Sequence, residues 1–571
     1  MSENARSAGR AGLFWTLLPH LVFAVLFVAT FRRWMLPFED SGREMNTALR
    51  LANGETLYRD VGYSYGPLPP VLDGLLLRTF GRSLDVLIAW RTVLALLGVE
   101  ALRRLARRLA SGESLPAAVS AFAVAACAFG VGGSWPFPYS VAALSGTVGA
   151  WWALELALAS ESRAGSIAAG IVAGLAAGTK LEMVPLALLG PFIVLVLRRP
   201  RKEAFAAGAG MLGTAAAAYA VPIIRFGGNL MKRQGFLIAL SVPEPWRRVY
   251  ESVFFGGLTR ADFARGGFRD VLFPSAVGIA LALLLREGGK TANAVLLPLL
   301  FVAGSLTFLS PGNAWLHGLL PLAACVAVGG LVRAAIEWRR EGSLPEPAAA
   351  GAAFVMLAAL VRQPFFLRNP VYGAFSAPLA LVVAICWIGR HTHVRNAFAA
   401  LVLGLSAAQV ALRVQGIGMA TMAWTSLPGA SLYLVPAESR FVTEAARVIR
   451  ETVPEGGNIG IFPEPGFLLF VTGRKNPFVD ELFLPGVQDA QAEDLMIRRL
   501  LERPPAAILV TNRAYPEFGQ ATYGHGLLDR FFLEVSRRYV PARSIGGKAG
   551  EVPLRHASGG LLFVPRSGRS P

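Results

Sequence analysis

The sequence predicts a polytopic α-helical membrane protein with a small α/β domain at its C-terminal end. Three observations carry this. Of 571 residues, 54% are hydrophobic and only 16% are charged, whereas a soluble domain carries about 25% charged residues. Mean hydropathy is +0.49. The apolar residues gather into runs long enough to cross a bilayer, and beyond residue 414 these give way to short helix and strand patterns.

The runs fall at 13–31, 84–102, 115–133, 139–158, 164–179, 181–198, 204–225, 270–286, 292–309, 314–333, 347–363, 371–389 and 397–414. That is about thirteen spans at roughly 20 residues each. The first follows Arg6 and Arg10 and is not followed by a small-residue cleavage site, so it reads as a retained span. Gly178, Lys180 and Glu182 interrupt the long stretch 164–198. Gly and Ala within the runs permit close helix approach. Cys127, Cys325 and Cys386 all lie inside apolar runs, with neither a disulfide framework nor metal-ligand spacing.

The net charge of +18 would suggest nucleic acid in a soluble protein. Here the arginines cluster at the ends of apolar runs, which is a topology signal, and no nucleic-acid motif accompanies them. Arg103, Arg104, Arg107 and Arg108, then Arg198, Arg199, Arg201 and Lys202, then Arg339 and Arg340, then Arg390 and Arg395 fall on one side if the N-terminus is cytoplasmic. Arg32, Arg33 and the basic loop 226–269 run against that assignment. It puts the stretch 38–70, the loops 226–269 and 364–370, and the C-terminal tail on the outer face. Residues 1–429 then form the membrane domain and 430–571 the outer α/β domain. In the latter, 441–452, 491–502 and 527–538 read as helices and 458–462, 506–510 and 560–564 as strands.

Residues 38–70 are the main polar interruption among the early spans. Ser41-x-x-Glu44 is a capping-box pattern. Met45, Ala48, Leu49 and Ala52 follow at helical spacing, and Gly54 sits where a helix stops. The pattern predicts an amphipathic helix over 42–53, lying on the membrane. Asp40 stands at its N-terminus, where the helix dipole favours a carboxylate. It fits two roles, a helix cap or a base that takes a hydroxyl proton. Glu39 is a second base candidate, and the capping box accounts for Glu44. Arg43 and Arg59 suit either phosphate or lipid headgroups. Tyr58, Tyr63 and Tyr65 suit either substrate or the membrane interface. Pro67, Pro69 and Pro70 close the stretch.

The order of these features resembles the GT-C superfamily of membrane glycosyltransferases, and within it the bacterial relatives of protein mannosyltransferase and aminoarabinose transferase. An apolar span is followed by the pair Glu39-Asp40, a short helix, Gly54-x-x-Leu57-Tyr58-x-Asp60, then Tyr63-x-Tyr65-Gly66-Pro67-x-Pro69-Pro70. The motif covers only 38–70; the layout covers the chain. The resemblance implies a sugar donor on a polyprenyl phosphate, an acceptor hydroxyl deprotonated by an acidic residue of the first outer loop, and inversion at the anomeric carbon. Asp40 matches the base position. Relatives usually read Asp-Glu where this chain reads Glu39-Asp40, which leaves the choice between the two open.

Other candidates follow from charge in an apolar setting. Lys180, with Glu182 beside it, ends the small-residue turn 174–180. Arg225 ends the seventh run, and His317 opens the tenth. Arg362 and Arg368 are further phosphate candidates. His391 and His393 lack a third ligand. Metal dependence stays open, a divalent ion being compatible with the acidic residues. The expected partners are the polyprenyl-phosphate sugar donor, the lipid bilayer and a glycan, lipid or protein acceptor. The expected location is the bacterial inner membrane, with the site on the extracytoplasmic face. A lipid-sugar flippase or transporter and a non-catalytic scaffold are the competing readings. The acidic groups cluster in outer loops rather than in repeated broken helices at mid-membrane, which favours the enzyme.

Overall fold

The computed structural model describes residues 3–33, 37–38, 40–110, 112–127, 141–181, 183–240, 422–483, 488–513, 522–523, 526–547 and 557–566, with short helical pieces between 339 and 414. Glu39, Glu182, His317, Arg362, Arg368, His391, His393, most of the loop 226–269 and most of the last six runs lie outside the described residues.

The first seven runs are helical where described. Helices α1 (Glu3–Thr30), α4 (Leu84–Leu109), α5 (Ser114–Cys127), α6 (Val141–Ala159), α7 (Arg163–Ala177), α8 (Met183–Arg198) and α9 (Arg201–Phe226) form the helical body. Among the described helices, the segments Gly12–Thr30, Val141–Ala159 and Arg201–Phe226 are long and apolar enough to cross a membrane; α7 and α8 are apolar but shorter. Leu13, Leu17, Leu21, Val25 and Val28 of α1 are exposed, as are Phe205, Leu212, Val221 and Ile224 of α9. Apolar stripes of that length are what lipid covers. The small residues perform as expected. A Cβ on Gly170 of α7 would strike the Ala207 carbonyl of α9, and one on Gly174 would come within 2.5 Å of the Met211 carbonyl. These helices cross at backbone distance because both positions are glycine.

Arg108 of α4 bridges to Glu155 of α6 at 2.7 Å, and Arg198 of α8 donates to the Leu158 carbonyl. These contacts tie together the basic end of the helical body. The opposite end carries α2 (Asp40–Ala52), α3 (Leu68–Phe80), the turn between α7 and α8, and α10 (Gly228–Gln234).

The C-terminal region opens with a hairpin, β1 (Ala423–Leu427) and β2 (Ala430–Leu434). Helix α11 (Pro436–Thr452), β3 (Ile459–Phe462), α12 (Gly466–Thr472), α13 (Ala490–Glu502), β4 (Ala507–Thr511), the two-residue strands β5 (Thr522–Tyr523) and β6 (Gly526–Leu527), α14 (Asp529–Arg538), β7 (Tyr539–Gly546) and β8 (Gly559–Pro565) follow. The main sheet has the order β3-β4-β8-β7, with β3 and β4 parallel and the other pairs antiparallel. The helices and strands read from the sequence are all present. The hairpin, α12, β5, β6 and β7 are additions.

One expectation is corrected. Helix α2 does not lie on a membrane surface. Ser41, Gly42, Glu44 and the run from Met45 to Arg50 are all buried. Met45, Ala48 and Leu49 share a core with Phe441, Val442, Phe467, Leu468 and Phe470 of the C-terminal region, and the Phe38 and Phe441 rings sit 5.8 Å apart. An amphipathic pattern shows that one face seeks an apolar cover, but lipid and protein satisfy it equally. Here protein supplies it.

Candidate active site

Gly54, at φ +91°, ends α2, and the chain then makes a tight turn. Thr56 donates its N–H to Asp60 Oδ2 at 2.9 Å, and Arg59 donates to the same carboxylate at 2.8 Å. Arg59 and Asp60 therefore satisfy one another locally, near solvent. The next residues are stitched to three distant segments. The Gly62 N–H donates to the Val479 carbonyl, that of Tyr63 to Gln234, and that of Gly66 to Thr179, at 2.8–2.9 Å. These bonds fix where Tyr63 and Tyr65 point.

Tyr58 and Tyr63 are buried, which corrects their alternative reading as interfacial anchors. The Tyr58 hydroxyl donates to the Tyr65 carbonyl at 2.7 Å, and its ring meets Phe236. Tyr63 donates to both oxygens of Glu44, at 3.2 and 3.0 Å. The capping-box reading of Glu44 is thereby corrected too. Its carboxylate turns inward to a tertiary partner, and it belongs with the site. Burial pushes the Glu44 carboxyl up to about 7, against the pull of Arg43 and Arg91.

Asp40 and Arg43, one turn apart on α2, form an ion pair in which the Arg43 side chain is 12% exposed and that of Asp40 30%. Burial disfavours the Arg43 charge, but Asp40, then Tyr65, Glu44 and Glu464, more than restore it, so its pKa is raised. The guanidinium lies 6.0 Å from the centre of the Tyr65 ring. Lys180, buried in the turn between α7 and α8, sits 4.6 Å from the centre of that same ring. Tyr63 meets Tyr65 edge-on at 5.4 Å.

Two buried ion pairs flank this group. Asp73 of α3 accepts from Arg91 of α4 at 2.6 Å, and both act electrostatically on Glu44. Glu464, just before α12, meets Arg513 at 2.8 Å. The sequence reading missed all four residues. A charge inside an apolar run was the available signal for Asp73 and Arg91, whereas Glu464 and Arg513 reach the site only through the fold of the C-terminal region.

The structure thus gathers Asp40, Arg43, Tyr63, Tyr65 and Lys180 of the predicted residues, and adds Glu44. Arg225 does not join them. It is exposed at the end of α9, against its neighbour Phe226. Among the described residues no three His, Cys, Asp or Glu side chains are grouped to hold a metal ion. The group can accept a proton at Asp40 and hold an anion beside Arg43 and Lys180.

No known family model matches the sequence, and no curated protein matches it. Solved structures do. ArnT from Cupriavidus metallidurans bound to undecaprenyl phosphate is 15% identical with a TM-score of 0.44, covering 97% of this chain and 98% of that one. The apo form of the same protein is 16% identical with a TM-score of 0.41, at the same coverage. The arabinofuranosyltransferase AftD from Mycobacteria is 15% identical with a TM-score of 0.46, covering 96% of this chain and 41% of that longer one.

Proposed function

We propose that this protein is an inverting glycosyltransferase that moves a sugar from a polyprenyl-phosphate donor to an acceptor hydroxyl at the outer face of the bacterial inner membrane. The observation that carries this is the meeting of a partly exposed carboxylate, Asp40, with two cations, Arg43 and Lys180, that converge on the Tyr65 ring. Asp40 takes the proton of the acceptor hydroxyl. The oxygen attacks the anomeric carbon from the face opposite the phosphate, and the bond from that carbon to the phosphate oxygen breaks. The departing phosphate gains negative charge, which Arg43 and Lys180 stabilise in a poorly hydrated site. Tyr63 and Glu44 hold the loop that carries Tyr65.

The sidedness rests on the basic loops of the sequence and on the position of the site at the end of the body opposite Arg108 and Arg198. The test is transfer of radiolabelled sugar from polyprenyl-phosphate donors in proteoliposomes. A positioned general base contributes roughly 10²- to 10⁴-fold, so Asp40→Asn should lose that much rate. Equal transfer by the variant would remove Asp40 as the base. Movement of the donor across the bilayer with no covalent product would establish a flippase instead.

A further inference from the structure

The hairpin β1–β2 has two unlike faces, as alternation along a strand allows. Thr425, Leu427, Leu432 and Leu434 are buried, and the three leucines belong to the core that contains Phe441. The other face carries Trp424 and Ser426, directly opposite Tyr433 and Ser431. Trp424 is 51% exposed, and its ring meets that of Tyr433 edge-on at 5.0 Å. The hairpin is tied to two places where the chain leaves or enters an apolar run. The Tyr433 N–H donates to the Arg32 carbonyl at 2.7 Å, and the Arg32 side chain donates to the Ser431 carbonyl at 3.1 Å. At the turn, the Gly429 carbonyl accepts from the N–H of Leu84, the first residue of α4, at 2.7 Å. Arg32 also pairs with Asp85 in the first turn of α4.

These ties set the depth of the hairpin. Arg32 stands two residues beyond α1, whose segment Gly12–Thr30 is long and apolar enough to cross a membrane. Its 19 residues rise about 28 Å, close to a hydrocarbon core of about 30 Å. The lipid tails therefore end where the hairpin begins. Arg32, at φ +58°, adopts a left-handed backbone that residues with a side chain seldom take. Its guanidinium lies 5.6 Å from the centre of the Trp424 ring, and that of Arg33 lies 4.6 Å from the centre of the Tyr433 ring. Trp and Tyr join an apolar body to a polar tip, which suits them to the boundary between tails and headgroups. Arginine beside them suits the lipid phosphates. We infer that the outward face of the β1–β2 hairpin is a membrane-docking surface, with Trp424 and Tyr433 seated in the lipid headgroup layer beyond the end of α1 and Arg33 beside them. Arg32 and Arg33, which run against the charge-based topology, then have a local purpose. The opposite face of the hairpin shares a core with Met45, Ala48 and Leu49, so docking also sets the height of α2 above the lipid tails.

The experiment uses the full-length protein in nanodiscs, with Cys127→Ala, Cys325→Ala and Cys386→Ala. A single cysteine is introduced as Trp424→Cys or, separately, as Ser426→Cys and labelled with a fluorophore. The second position reports on the same face with the Trp424 ring intact. Nitroxide quenchers are carried on the lipid headgroup, deep on the acyl chain, or on a water-soluble molecule. A docked hairpin gives severalfold stronger quenching of both labels by the headgroup nitroxide than by either of the others. Strongest quenching by the water-soluble nitroxide overturns the docking, because the face would then stand clear of the membrane. Strongest quenching by the acyl-chain nitroxide, or none by any of the three, overturns it as well.

Discussion

The two ends of helix α2 carry the same chemistry and use it differently. At the C-terminal end, Arg50 donates to Glu55 through Nε at 2.8 Å, to the Asp60 carbonyl at 2.6 Å and to Glu481 of the C-terminal region. Asn46 donates to the other oxygen of Glu481 at 2.8 Å. The Arg50 and Glu481 side chains are 6% and 1% exposed. Every strong donor has an acceptor, and the arrangement has no room to change. At the N-terminal end, Arg43 meets one carboxylate that is partly open to solvent and lies near two others, with a second cation facing the same ring. A saturated network locks a helix to its neighbours. A network whose carboxylate is partly exposed keeps an acceptor open to solvent. The contrast assigns stability to one end and chemistry to the other, and each assignment can be broken.

The sharpest separation comes from exchanging the readouts. Asp40→Asn should abolish most sugar transfer while leaving the melting temperature close to wild type. Glu481→Ala should do the reverse. It leaves a buried guanidinium with one carboxylate fewer and removes the partner of Asn46, a loss on the order of 3 kcal/mol. Thermal unfolding in detergent should show a clear drop, with activity per folded molecule preserved. If Glu481→Ala abolished transfer in protein that remained folded, the division between the two ends would be wrong.

Glu44 lies between the two ends and gives a pH test. Its carboxyl stands near 7 in the folded protein against an ordinary value of 4.5. The folded state therefore holds the proton more tightly. The stabilisation from this group is complete below about pH 4.5 and is lost as pH rises through about 7, a change of roughly 3 kcal/mol by proton linkage. Glu44→Gln cannot ionise and should flatten the fall in melting temperature across that window. A wild-type profile that stays level from pH 4.5 to 7.5 would show that Glu44 titrates as an ordinary carboxylate. The smallest effect is expected at Arg59, which is well exposed and bonds locally, to Asp60 and Thr56. Arg59→Ala should leave both melting temperature and transfer unchanged.

Much of this site could be read in the sequence, because its parts are local. The helix after Asp40, its stop at Gly54 and the Tyr63-x-Tyr65 segment all declare themselves within 30 residues by periodicity and turn chemistry. What stayed hidden depends on contacts across the chain. Asn46 and Glu481 are 435 residues apart, and no local pattern announces that pairing. Glu44 was hidden for the opposite reason. A strong local pattern, Ser41-x-x-Glu44, offered a sufficient explanation, and the tertiary partner Tyr63 overrode it. In the C-terminal region, short apolar runs bounded by turn residues marked β3, β4 and β8. It missed α12, whose seven residues are all buried and so show no amphipathic face.

The shared core of α2 and α12 has a consequence for how the protein is made. Helix α2 leaves the ribosome early with α3 and α4, but Phe441, Phe467, Leu468 and Phe470, which complete the core around Met45, Ala48 and Leu49, are synthesised far later. At roughly 5–20 residues per second, the 435 residues between Asn46 and Glu481 correspond to roughly 20–90 s of translation. During that interval the segment bearing Asp40 waits with only part of its cover. A nascent chain therefore cannot assemble the site early, and a chain that terminates before α12 never can. Synthesis through α12 becomes a condition for competence.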